Sequence, residues 1–294
     1  MPRVKRDTDA RGGGTGARGA TGPRGRATFA PNPEARPIAP PALPLAGQTA
    51  IVTGGGTGVG AAIALELAER GARVVVTGRR REPIDAVAAR HERIEARVCD
   101  ATDAGATEAL AREWRPSVAV ANAGIARSAP FARTEPEALR RMWEVNVVGV
   151  HALFAAALRA REGEGPARLI AIASTAGLRG YPYVAGYCAT KHAVVGLVRA
   201  LALELAAKPA TRAVTANAVC PGYTDTPMLR DTIRGIVEKT GRSVEEAEAP
   251  LRAHNPQDRF VEPAEVADAV AWLAGDAARS VTGQAISVSG GEVM

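Results

Sequence analysis

Nothing constrains the fold of this chain more tightly than the stretch TAIVTGGGTGVGAAIALELAERG, residues 49–71. A short apolar, β-branched run enters a glycine-rich turn, and an Ala/Leu/Glu helical pattern begins with no spacer between them. Gly54, Gly58 and Gly60 allow a tight strand-to-helix turn and the close approach of a pyrophosphate, because no Cβ stands in the way. The start of the following helix presents unpaired N–H groups and the positive end of its dipole to such an anion. A strand–turn–helix of this kind predicts the first βα unit of a nucleotide-binding sheet, and a phosphate cradle at its turn.

The same alternation continues to the C-terminus. Strands are predicted near residues 48–53, 73–77, 94–99, 117–121, 167–173, 213–219 and 284–288, with amphipathic helical patterns between them. Runs that are apolar throughout, separated by helices, belong to a parallel sheet covered on both faces. The length of 294 residues would permit one large domain or two small ones. Unbroken alternation from residue 47 selects one doubly wound α/β domain with a seven-stranded parallel sheet. Residues 224–257 interrupt it with two polar helical pieces and no strand, and an insertion after a late strand lies over the carboxyl ends of the sheet. It is expected to be a small helical lid over the substrate.

A net charge of +6 suggests nucleic acid until it is located. Residues 1–46 hold eight Lys/Arg against three acids, which leaves the body close to neutral. This Gly-, Pro- and Arg-rich tail has few large apolar residues and is expected to be disordered, with no specific nucleic-acid partner. It lacks the apolar core of a secretory signal, and no apolar run approaches the roughly 20 residues of a membrane span, so a cytoplasmic protein is expected. Cys99, Cys188 and Cys220 are too widely spaced for a zinc site and are expected to be reduced core thiols; no metal is predicted.

Tyr187 and Lys191 stand four residues apart at the mouth of an apolar helix, on one face. A free phenol titrates near 10, and a fixed ammonium beside it favours the phenolate, so the pair is a candidate acid/base device. With the spacing G-x-x-x-G-x-G at residues 54–60, the Asn122–Gly124 triplet NAG, Ser174 after an apolar strand and the Pro221–Gly222 pair, the chain resembles the short-chain dehydrogenase/reductase superfamily over residues 47–294.

That resemblance implies a Rossmann-like fold and hydride transfer between nicotinamide and a ketone or secondary alcohol. It makes Tyr187 the acid/base, Lys191 the residue that lowers its pKa and holds the nicotinamide ribose, and Ser174 the group that orients the substrate oxygen. Asn146 matches the residue that supports a water relay behind the lysine. For the cofactor it implies Thr53, Gly54, Thr57, Gly58, Val59 and Gly60 in the glycine turn, Asp100 and Ala101 at the adenine, and Asn122, Ala123 and Gly124 beside the adenosine. Pro221, Gly222, Thr224 and Thr226 line the carboxamide end, Thr224 standing where the family often has Ile or Val.

Gly78 occupies the place where an NAD enzyme carries an acid, and Arg79, Arg80 and Arg81 follow. Cations there favour a 2′-phosphate, so NADP is expected, with NAD as the alternative; Thr57, where many NADP-preferring relatives carry Arg or Lys, argues the other way. The C-terminal half looks most like members acting on 3-oxoacyl or 3-hydroxyacyl thioesters, and Arg127, Arg179 and Arg230 are placed to meet an anionic acyl carrier. A sugar alcohol, a cyclic ketone or a non-catalytic NADPH-binding role are the alternatives. The nearly all-apolar helix after Tyr187 predicts a buried second face, hence a homodimer or homotetramer.

Overall fold

The computed structural model describes residues 43–294. Its strands are β1 (Thr49–Thr53), β2 (Arg73–Gly78), β3 (Ile94–Val98), β4 (Val118–Ala121), β5 (Ala167–Ile172), β6 (Val214–Pro221) and β7 (Ala285–Val288). All pair in parallel, in the order β3-β2-β1-β4-β5-β6-β7. The order reverses between β1 and β4, where a crevice opens at the carboxyl ends of the strands.

Side chains alternate through the sheet into two separate apolar cores. Ala50, Val52, Val74, Val76, Val118, Val120 and Ile170 face α1 (Gly58–Glu69), α2 (Arg81–Ala88) and, near the chain's end, the helix Pro263–Ala274. Ile51, Val75, Ala119, Ala121, Leu169 and Ala171 face α3 (Ala104–Trp114), the helix Gly149–Ala160 and the long helix Ala185–Ala207. Apolar residues of both parities are therefore required, which is why the strands read as continuous apolar runs rather than alternating ones.

In chain order the remaining helices are α4 (Pro136–Trp143), α5 (Gly149–Ala160), α6 (Ala185–Ala207), α7 (Pro227–Thr240), α8 (Val244–Arg252) and α9 (Pro263–Ala274). The insertion is helical, as expected: α7 and α8 pack on each other through Leu229, Ile233 and Ala247. Its start is tied to the segment just before α9 by backbone bonds between Tyr223, Asp225 and Val261.

The ordered body begins before residue 47. Leu45 is fully buried in the α1/α9 core, and its N–H donates to the Arg70 carbonyl at 2.9 Å. This corrects the expected tail boundary at residue 46: Leu45 is apolar, but its isolation among prolines hides its role as an anchor. Residues 1–42 of the expected tail lie outside the described residues. Cys99, Cys188 and Cys220 are buried and unbridged. Among the described residues no helix is long and apolar enough to cross a membrane, and no group of His, Cys, Asp and Glu has metal-site geometry.

Candidate active site

Parallel pairing brings the ends of β1, β4, β5 and β6 to one edge of the sheet, and with them the glycine turn, Asn122–Gly124, Ser174 and Gly222. A depression of about 650 Å³ at the opposite edge, among Thr49, Arg73 and Ile94, is remote from all of them.

At the first junction, Thr53 Oγ1 accepts from the N–H groups of Asn122 and Ala123 at 3.1 and 3.2 Å. The Asn122 side chain donates in return to the carbonyls of Thr53 and Gly54, both at 3.0 Å. The Asn122 amide is thus committed to backbone, holding the glycine turn against the end of β4. Gly54 has φ +64°, and a Cβ at Gly60 would come within 2.4 Å of Asn122 Nδ2. Helix α1 then starts at Gly58 with Thr57 as a cap residue that makes no side-chain hydrogen bond, so its first-turn N–H groups are left for another acceptor.

At the next strand end, Gly78 closes β2 and is followed by exposed Arg79 and Arg80. Among the described residues neither forms an ion pair, whereas Arg81 lies 4.0 Å from Asp85. Burial opposes ionisation of Asp100, but hydrogen bonds from Thr102, with the charges of Arg79 and Arg141, hold its pKa below the usual carboxylate value. Ala101 packs by its backbone against Gly149 at the start of α5, where a Cβ would meet the Ala101 carbonyl at 3.1 Å.

The four predicted catalytic residues converge. Ser174 caps the short turn Thr175–Gly177, accepting from Ala176 N–H at 3.1 Å. Tyr187 and Lys191 lie on the first turns of α6, with the ammonium 5.7 Å from the phenol ring centre. Asn146 sits in a π-helical turn, Glu144–Val148, that joins α4 to α5. Such a turn inserts a residue into the helix and re-aims its side chains, and these turns recur at functional sites. Fully buried, Asn146 accepts from Ile125 N–H at 2.8 Å and donates to the Ile125 carbonyl at 2.9 Å and to Thr190 Oγ1 at 3.0 Å. Thr190 donates onward to the Tyr187 carbonyl at 2.8 Å. A side chain on Gly124 would touch both Asn146 Oδ1 and Lys191 Nζ.

The electrostatics differ from the sequence expectation. Burial pushes the Tyr187 phenol up to about 12, while the Ser174 hydroxyl, which hydrogen-bonds it, draws it part of the way back. Burial also pulls Lys191 down to about 8, its Nζ donating to the Ile172 carbonyl at 2.8 Å. Proximity of a cation predicts a lowered phenol; here burial is the larger effect and raises it.

Thr224 Oγ1 donates to the Gly222 carbonyl at 2.9 Å, and Thr226 caps α7, accepting from Leu229 N–H at 3.3 Å. Thr226 also packs against Gly58, where an added Cβ would meet its methyl at 3.1 Å, so the base of the lid touches the glycine turn. Pro221 ends β6. Of the three arginines expected at the entrance, Arg230 is held by Asp225 at 3.1 Å and Arg179 lies over the Tyr181 ring at 4.9 Å; Arg127 is exposed. Sequence reasoning missed Thr190, whose signal was its place three residues after Tyr187 on the same helix face, and the group Tyr181, Tyr223, His254 and Glu292, which had no local signal.

Comparison with known proteins fixes the relationship. Residues 54–292 match the family described as enoyl-(acyl carrier protein) reductase. The chain is 37% identical over 255 residues to a cis-4-hydroxycyclohexanecarboxylate dehydrogenase of Sinomonas cyclohexanicum, covering 83% of this chain and 96% of that one. It is 30% identical over 254 residues to the 3-oxoacyl-(acyl carrier protein) reductase of Rickettsia bellii, covering 86% and 99%. A solved actinorhodin polyketide ketoreductase variant with NADPH superimposes with a TM-score of 0.77 at 35% identity, over 83% of this chain and 97% of that one. With the parallel sheet, the glycine turn and the Ser174, Tyr187 and Lys191 group in one place, the chain belongs to the short-chain dehydrogenase/reductase superfamily.

Proposed function

We propose that the chain is an NADP-dependent ketone reductase, acting on a 3-oxoacyl thioester or a related ketone, with NAD as a poorer cofactor. The observation that carries this reading is the convergence of Ser174, Tyr187 and Lys191 beside a glycine turn whose helix start lacks a side-chain cap. The uncapped first turn of α1 and the missing side chains of Gly54, Gly58 and Gly60 fit a dinucleotide phosphate, and the exposed Arg79 and Arg80 fit a 2′-phosphate. When bound, the nicotinamide supplies the hydride.

This chain's residues manage the proton. The Ser174 hydroxyl donates a hydrogen bond to the carbonyl oxygen, polarising the bond and aligning it with Tyr187. The Tyr187 phenol then passes its proton to that oxygen as negative charge develops, and the Lys191 ammonium stabilises the phenolate left behind. Asn146 and Thr190 hold the Tyr187 backbone and the Ile125 backbone in the loop after β4, fixing the distance between acid and substrate. The Tyr187 phenol, raised by burial, holds the proton that reduction transfers. The partly exposed apolar flank of α6, with Leu203 76% exposed, supports self-association through this helix.

The test is Tyr187→Phe, which keeps the ring and removes the transferable proton. Turnover of a ketone panel is expected to fall by about 10²–10⁴-fold while NADPH binding, read by fluorescence, is retained. Activity within about threefold of the parent would remove Tyr187 from the acid/base role. A parent that binds NADPH and reduces no ketone would support the non-catalytic alternative.

A further inference from the structure

One carboxylate lies buried beside the same space and has no part in the scheme above. Glu292 follows β7 by four residues, and its side chain is 1% exposed. Its Oε1 accepts the Tyr181 hydroxyl and stands 4.0 Å from His254 Nδ1. Its Oε2 fills the position opened by Gly222, where a Cβ would come within 2.8 Å. Tyr181, Tyr223 and His254 form one aromatic wall: His254 stacks on Tyr223 with ring centres 5.6 Å apart and meets Tyr181 edge-on at the same separation.

This wall is continuous with the proposed catalytic group. Tyr181 lies four residues beyond the short turn that Ser174 caps and meets Tyr223 edge-on with ring centres 6.4 Å apart, and Gly222, against which Glu292 packs, leads directly into Tyr223. His254 closes the end of the lid and brings that segment against the C-terminal one. A substrate whose carbonyl meets Ser174 and Tyr187 therefore extends its next atoms past this wall.

An ionised carboxylate offers about four acceptor positions and no donor, and burying it is costly unless those positions are engaged. Among the described residues, Tyr181 alone gives the Glu292 side chain a hydrogen bond. A ligand group that meets the remaining oxygen must be a donor, and a second anion there is repelled. We propose that Glu292 is a specificity-determining residue, which with the Tyr181–Tyr223–His254 wall receives a hydroxyl group on the substrate arm beyond the reacting carbonyl and disfavours a carboxylate at that point. This rests on the reading of Tyr187 as acid/base and narrows its substrate to a hydroxylated ketone.

The experiment compares three ketones of similar shape in the NADPH-driven reaction: 4-hydroxycyclohexanone, 4-methylcyclohexanone and 4-oxocyclohexanecarboxylate. The parent enzyme is expected to prefer the hydroxyl over the methyl compound by about tenfold or more in kcat/KM and to use the carboxylate least. Glu292→Leu should abolish the hydroxyl-to-methyl preference, through a rise of roughly 10- to 100-fold in KM for the hydroxy ketone. Glu292→Gln keeps an acceptor oxygen but no charge, so it should retain part of the hydroxyl preference and accept the carboxylate better. A parent ratio within about twofold, or a ratio that survives Glu292→Leu, overturns the proposal. Should the leucine variant not fold by circular dichroism, unchanged discrimination against the carboxylate in Glu292→Gln overturns it instead. A parent that reduces neither these three ketones nor a 3-oxoacyl thioester removes the reductase reading and this one together, whereas reduction of the thioester alone, or of the three ketones without discrimination, removes this one alone.

Discussion

Replacing Lys191 by Met isolates what it costs the fold to hold an ammonium inside. Lys191 is 4% exposed and burial lowers its pKa from 10.5 to about 8. By linkage that displacement corresponds to about 3 kcal/mol by which the charged form destabilises the folded state. The sign follows from proton counts. Below pH 8 both states carry the proton and the full destabilisation is present; between 8 and 10.5 the folded state releases it while the unfolded state keeps it, so stability rises with pH. Met fills similar volume without charge and has no such term. It also leaves the Ile172 carbonyl without its donor, an offset of about 1–3 kcal/mol that does not depend on pH.

The pH dependence of the difference is therefore the quantity to measure. Urea unfolding of parent and Lys191→Met at matched protein concentration, from pH 7 to pH 9.5, should show the advantage of Met shrinking by about 2 kcal/mol across the series. Cys220, pushed up to about 11 by burial, titrates in both proteins and largely cancels in the difference. A difference that stays flat over this range, within about 0.5 kcal/mol, would show that Lys191 is not held as a destabilised cation, and the account of the site's electrostatics would fail with it.

Two further perturbations test the edges of the molecule. Truncation to residue 46 should unfold several degrees below truncation to residue 42, because it removes Leu45 from the α1/α9 core and large-to-small changes there cost about 2–5 kcal/mol; equal melting temperatures would deny Leu45 its anchoring role. Arg79→Ala should weaken NADPH on the order of ten- to a hundredfold and leave NADH nearly unchanged, and adding Gly78→Asp should reverse the preference by both attraction and repulsion. The new Cβ at residue 78 would stand 3.1 Å from Ile84 Cγ2, so Ile84 must shift slightly, and a parent already better with NADH would mark the arginines as a solvated face.

Most of the sheet was legible because each strand must satisfy two cores at once. Ile51 and Val52 point to opposite layers, as do Val75 and Val76, so the middle of each run is apolar at consecutive positions and the run ends sharply at Gly54, Gly78 or Asn122. The glycine turn was legible for a related reason: Gly60 faces the Asn122 amide with no space for a side chain. What could not be read depends on contacts between distant segments. The π turn at Glu144–Val148 leaves no trace in an apolar periodicity, and Glu292 acquires meaning only where the C-terminal segment meets Tyr181 and His254. The phenol's rise was missed because sequence spacing reports the neighbouring lysine and not the depth of the enclosure.

The distribution of unfavourable terms points to chemistry independently of any relative. A domain selected only for stability would place an apolar side chain where Lys191 stands, since burial makes the charge destabilising there. It would also have no need for a fully buried amide at Asn146, every polar atom of which must then find a partner in Ile125 or Thr190. A protein that merely bound a dinucleotide would need the glycine turn and the arginines after β2, but not these groups around the Tyr187 phenol. Their concentration within one strand end and two helix starts is what separates the proposed proton-transfer site from a binding cleft, and it is why a ketone, rather than the nucleotide alone, is the ligand against which the site should be measured.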